Sequence, residues 1–182
     1  MITIVGRGPS LLFLTAADFP DGRVITLNAA IIHVRKLGLP NPIYTMQKDG
    51  CVGQDFHGVP VPFACGACPM GDMVMPQPPE TLIVSKAESP YCLPGYSPRM
   101  VVDVEAFGLP WHTMSAPVAV RIAQSWGETE VLMLGHDAHT TGSTLRVEPD
   151  GSLADAPHGG YVNAGAHAAA IAEAAGMTMT WR

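Results

Sequence analysis

Six residues near the start of the chain, Gly-Arg-Gly-Pro-Ser-Leu at positions 6–11, constrain the fold more than any other stretch. They follow Ile2–Val5, three β-branched apolar residues and a threonine, which is the make-up of a short buried strand. Gly6 and Gly8 carry no Cβ, so the backbone there can turn sharply and come close to a neighbour or a ligand. Pro9 omits a donor where a first helical turn has no use for one, and Ser10 sets a hydroxyl beside the amides that follow. Strand, glycine turn and helix start together predict a cluster of unpaired N–H groups, for which a phosphate is the natural occupant. The plainer alternative is a βα turn that binds nothing.

The rest of the chain keeps up the alternation. Residues 11–19 predict a helix or helical turn closed by Pro20-Asp21-Gly22, and Arg23–Leu27 a second strand with Asn28 at its C-terminal end. Residues 29–37 predict a helix, stopped by Gly38 with Pro40 just beyond, and residues 43–46 a third strand. Further strands are expected at 81–85, 100–104, 130–134 and 177–181, and helices at 117–126 and 163–175, with Thr113 or Ser115 capping the former. Pro149-Asp150-Gly151 marks a hairpin turn. Strands alternating with helices at this spacing predict an α/β fold, a mostly parallel sheet with helices on both faces. At 182 residues, the chain is read as one domain, 1–182.

Residues 50–80 break the rhythm, being dense in Gly, Pro and Met, and the Pro/Gly/Tyr stretch around Cys92 extends the irregular insertion over about 50–98. Cys65-Gly66-Ala67-Cys68 has the spacing that lets two thiolates reach one tetrahedral zinc; Cys51 and Cys92 would complete four ligands, with His57 as a substitute. Such a staple would stabilise a segment this poor in regular structure. Unrelated reduced cysteines and a redox pair are the alternatives.

Composition narrows the function classes. Apolar content of 47% with 14% charged residues describes a globular chain, and a formal net charge of −6 argues against duplex nucleic acid as the partner. No apolar run reaches the ~20 residues of a membrane span, and Arg7, Gly8 and Pro9 interrupt the opening run of any signal peptide. The expected location is therefore cytoplasmic, where four cysteines stay reduced or bind metal.

Ligands of open α/β sheets bind beyond the C-terminal ends of the strands, and three polar groups fall there: residues 6–10, Asn28, and His136 with Asp137. Asn28 either meets a ligand or caps the helix after it, and Asp137 either meets a ligand or holds a turn through backbone amides. A histidine near its unperturbed pKa of ~6.5 can take a proton from an acceptor hydroxyl, and helix N-termini, a histidine cation or a metal such as magnesium can stabilise a departing phosphate.

Gly-Arg-Gly-Pro-Ser-Leu at 6–11, Asn28 after the second strand, then Ser115 and Val131-Leu132-Met133-Leu134-Gly135-His136-Asp137, in that order, resemble the bacterial lipooligosaccharide sialyltransferases and the related 6-hydroxymethylpterin diphosphokinase group. The resemblance covers residues 1–49 and about 110–182 and leaves the insertion outside. It implies a Rossmann-like fold and a transferase, glycosyltransferase-like or of diphosphokinase type. A nucleotide or nucleotide-sugar donor would be held by Gly6, Arg7, Gly8, Pro9, Ser10, Asn28, Ser115 and Asp137. It also implies a general base ahead of the last helix, for which His158 is the nearest match, with Tyr161 beside it. Where the sialyltransferases carry two tyrosines that support the departing phosphate, this chain has His139 and Leu145, and Arg7 stands where they have asparagine. His139 and His158 are thus the candidate catalytic residues. The departures also leave room for a non-catalytic accessory or interaction protein that keeps the fold with a degenerate site.

Overall fold

The computed structural model describes residues 1–28, 30–47, 80–84, 99–110, 113–147, 152–157 and 162–182. Seven strands form one parallel sheet: β1 (Ile2–Val5), β2 (Arg23–Leu27), β3 (Ile43–Gln47), β4 (Thr81–Val84), β5 (Arg99–Val101), β6 (Glu130–Leu134) and β9 (Thr178–Trp181). Their spatial order is β5-β4-β3-β2-β1-β6-β9. From β1 the chain winds outward to β5, then returns past β1 to lay down β6 and β9 on the other side. The direction of winding reverses between β1 and β6.

The central strands are apolar throughout because both of their faces are covered, as a parallel sheet requires. Alternate residues enter separate cores. Ile2 and Ile4 of β1, Ile25 and Leu27 of β2, and Val131 and Met133 of β6 pack with helices α2 (Ser115–Ser125) and α4 (Val162–Ala174). Val5, Val24, Leu132 and Leu134 point the opposite way, toward Leu11, toward Ala30 and Val34 of α1 (Ala30–Val34), and toward Leu145. Each fully buried Ile, Leu or Val contributes roughly 2 kcal/mol, so these two layers carry the stability of the domain.

β1, β2 and β6 have the boundaries expected from their residues. α1 runs on as a 3-10 turn, Arg35–Leu37, and ends at Gly38 with φ of 62°, the left-handed cap predicted there. The other elements refine or correct the expectations. The 11–19 helix is two 3-10 pieces, Pro9–Phe13 and Ala16–Asp18, because the chain must stay close to the sheet, with Leu11 and Phe19 turned into its core. The 100–104 strand is only Arg99–Val101, since Val102 and Val104 already turn into the core and a 3-10 turn begins at Glu105. Neither Thr113 nor Ser115 caps α2: its N-cap is Met114, with no side-chain hydrogen bond. The strand expected at 81–85 is β4, which joins the main sheet; the rest of the proposed 50–98 insertion, apart from Glu80, lies outside the described residues.

Between β6 and α4 the chain makes a short helix, α3 (Ala138–Thr141), and an antiparallel hairpin, β7 (Ser143–Val147) with β8 (Leu153–Pro157). β7 and β8 pair antiparallel with Val147 opposite Leu153, and the turn expected at Pro149-Asp150-Gly151 lies outside the described residues. No helix among the described residues is long and apolar enough to cross a membrane.

Candidate functional site

The carboxyl edge of the sheet, on either side of β1, gathers most of the described candidates. On the β6 side, the 6–10 turn meets the 135–137 loop. The Gly6 amide donates to Leu134 O at 2.8 Å and the Gly8 amide to Gly135 O at 2.6 Å. Gly135 makes this possible with φ of 65°, reversing the chain straight after β6. Asp137 then turns its carboxylate onto Ser10, whose amide lies 3.2 Å from Oδ1 and 3.1 Å from Oδ2, and whose hydroxyl donates to Oδ1. The Leu11 amide donates to Gly8 O at 2.9 Å. From the hairpin, Leu145 N and Thr144 Oγ1 donate to Arg7 O at 2.7 and 3.0 Å.

This arrangement corrects the expectation of a corner that presents unpaired amides to an anion. The amides of Gly6, Gly8, Ser10 and Leu11 all bond within the protein, and the anion at Ser10 is the chain's own carboxylate. Both glycines are needed for the resulting closeness. A Cβ on Gly6 would lie 2.6 Å from Gly135 O and 2.9 Å from the His136 ring, and one on Gly8 would overlap Asp137 Oδ1 and sit 2.8 Å from Gly135 O. Of the two roles open to Asp137, it performs the second, holding a turn through a backbone amide. His136 packs edge-on against Trp181, ring centres 5.8 Å apart, so its ring faces the sheet.

The β2 side differs. Asn28, half-buried, is the single non-glycine residue with positive φ, 51°, among the described residues. Its amide donates to Met46 O at 2.9 Å, continuing the β2–β3 ladder one step past the strand and fixing the left-handed turn. A non-glycine residue in that conformation costs about 1 kcal/mol. Its carboxamide makes no hydrogen bond with the described residues, α1 included, so it does not act as that helix's cap. Left-handed backbone thus turns a donor-and-acceptor side chain away from the ladder at the strand's end.

α2 packs across β1, β2 and β3 and leads into β6 at the amino edge, so its first turn, with half-buried Ser115, lies toward the carboxyl edge. The first amides of an α-helix have no partner within it, and no side chain caps this one. At the opposite, amino edge, ion pairs close the sheet: Glu128 takes the Met1 ammonium at 3.0 Å and Arg23 at 3.1 Å, and Arg23 lies over the Trp126 ring.

His139 is the second residue of α3, directly after Asp137 and Ala138. His158, Tyr161, Cys51, His57, Cys65, Cys68 and Cys92 lie outside the described residues. Among the described residues no group of three or more His, Cys, Asp or Glu side chains is placed to hold a metal ion. Leu145, at the position of a tyrosine in the resemblance, is a core residue whose backbone fastens Arg7. That fastening was missed from the residues, and its one local signal is the Thr144-Leu145 pair alternating polar and apolar on β7. Comparison of the chain with protein-family models, curated proteins and solved structures finds no match.

Proposed function

We propose that the chain is a Rossmann-like nucleotide- or nucleotide-sugar-binding transferase that works at the carboxyl edge of the sheet. Glycosyl transfer is the favoured chemistry and diphosphate transfer its nearest alternative. The observation that carries the reading is Asn28: a left-handed asparagine at the carboxyl end of β2, one strand away from the β1/β6 reversal, with its carboxamide unused among the described residues. An amide that both donates and accepts suits a nucleobase or a ribose. In open α/β sheets, the crevice at the reversal is where ligands lie. The uncapped start of α2, with Ser115, would receive a phosphate. The 6–10 turn then serves as framework, and His139 or His158 would accept the proton of the attacking hydroxyl.

The motif resemblance to the lipooligosaccharide sialyltransferases and the 6-hydroxymethylpterin diphosphokinase group supports Asn28 and Ser115 in this placement, while its further assignment of the donor to residues 6–10 and Asp137 is set aside because those groups bond to one another. A structural zinc at Cys51, Cys65, Cys68 and Cys92 is a separate proposal, which rests on the Cys65/Cys68 spacing and is checked by elemental analysis of the purified protein. A cytoplasmic location is proposed as well, the compartment in which the four cysteines would stay reduced or bind metal.

A second reading, the non-catalytic accessory protein, draws on one contact: the Asp137 carboxylate filling the corner at Ser10. A thermal-shift screen against nucleotides and nucleotide-sugars separates the two. The transferase reading expects a saturable stabilisation by at least one donor, followed by turnover when acceptors are added. No stabilisation by any of them selects the accessory protein.

A further inference from the structure

The Asp137 carboxylate sits at the junction of β1 and β6, the place where a doubly wound sheet ordinarily accommodates a pyrophosphate against a glycine turn. Here both donors of Ser10 are already engaged by that carboxylate, and the space over Gly8 is filled by its Oδ1. A negative charge is fixed where a second phosphate would arrive. We infer that Asp137 is a specificity-determining residue: it excludes a pyrophosphate from the 6–10 corner, so that a bound nucleotide is restricted to one phosphate at this edge. The inference rests on the nucleotide-binding reading above and deepens it on the side of glycosyl transfer, against diphosphate transfer, whose donor brings a pyrophosphate.

The exclusion is chiefly electrostatic. Two like charges about 4–5 Å apart at a partly buried surface repel strongly enough to cost an order of magnitude or more in affinity. No rearrangement short of breaking the Ser10–Asp137 bonds frees the corner, because the Gly6 and Gly8 amides are held by the carbonyls of Leu134 and Gly135. Charge, rather than the mere presence of a side chain, is therefore the quantity to change. Asp137→Asn retains an acceptor for the Ser10 amide and hydroxyl while removing the charge.

The experiment titrates the mono- and diphosphates of the four ribonucleosides into the wild-type protein and Asp137→Asn by calorimetry. The wild type is expected to prefer the monophosphate of its nucleoside over the diphosphate by about tenfold or more, and Asp137→Asn to erase or reverse that preference. Ser10→Ala, which loses a hydrogen bond but keeps the carboxylate, should retain it. Should Asp137→Asn fail to fold, the wild type alone decides through ionic strength: screening between about 0.05 and 0.5 M salt must shrink the preference. A wild type that takes the diphosphate equally well, an Asp137→Asn variant with the preference intact, or a preference that grows with salt overturns the inference while leaving nucleotide binding in place. Absence of binding by every nucleotide overturns the underlying reading, and the inference with it.

Discussion

On the β6 side of β1, the 6–10 turn directs the amides of Gly6, Gly8, Ser10 and Leu11 inward, onto two loop carbonyls, the Asp137 carboxylate and its own Gly8 carbonyl. On the β2 side, one step away in the sheet, Asn28 adopts a costly conformation and its side chain bonds to none of the described residues. The first region has the familiar look of a ligand site and is built as a joint. The second rests on a single asparagine, whose side chain stays unbonded to the described residues. A glycine turn therefore reports that something approaches closely, and what approaches can be the protein itself. An asparagine at positive φ reports a turn that needs a left-handed residue, and here it leaves the side chain unbonded to the described residues.

The sharpest break of this contrast is Gly8→Val. Its side chain would collide with Asp137 and Gly135 O, so the joint should fail, with a loss of about 3 kcal/mol or outright misfolding, measured by chemical denaturation. A folded, equally stable Gly8→Val would show that the corner has room for a ligand after all. Asp137→Ala comes next, since it leaves the Ser10 amide without its acceptor in a half-buried place; about 2 kcal/mol should be lost in the same assay. Asn28→Gly should change stability by less than about 1 kcal/mol, because relief of left-handed strain offsets the greater freedom of glycine in the unfolded chain. The smallest effect is expected at Asp18, away from both regions. Its carboxyl is held below its ordinary 3.8, first by the Thr15 amide and then by the Thr15 hydroxyl, with burial opposing and Arg182 assisting. A lowered folded-state value stabilises above 3.8 and is lost as pH falls through it. Wild type should therefore exceed Asp18→Asn slightly at neutral pH and match it in stronger acid, as followed by thermal melts across pH.

Much of the layered architecture was legible from the residues because burial on both faces leaves a plain record. Ile2–Val5, Arg23–Leu27 and Glu130–Leu134 are runs too apolar to be anything but interior strands, and their ends are set by Gly6, Asn28 and Gly135. Gly38 and Gly176 likewise stop their helices in left-handed conformations. What local reading could not supply is the closure of the corner. Ser10 and Asp137 are 127 positions apart, and nothing near Ser10 tells that its donors are taken. The cap of α2 was misplaced for a related reason: Thr113 and Ser115 are good capping residues, but the backbone sets the boundary at Met114 between them. Asn28 was visible as a residue at a strand's end, whereas its backbone conformation depends on the bond to Met46 of β3.

The proposed site turns on Asn28, on the β2 side of the carboxyl edge, recognising a nucleotide. Calorimetric titration of one nucleotide or nucleotide-sugar that stabilises the wild type, repeated on Asn28→Gly, tests it most directly. Saturable binding to the wild type is expected, with a loss of about tenfold or more in the variant at a melting temperature that stays near the wild-type value. Equal affinity in the two proteins would contradict it.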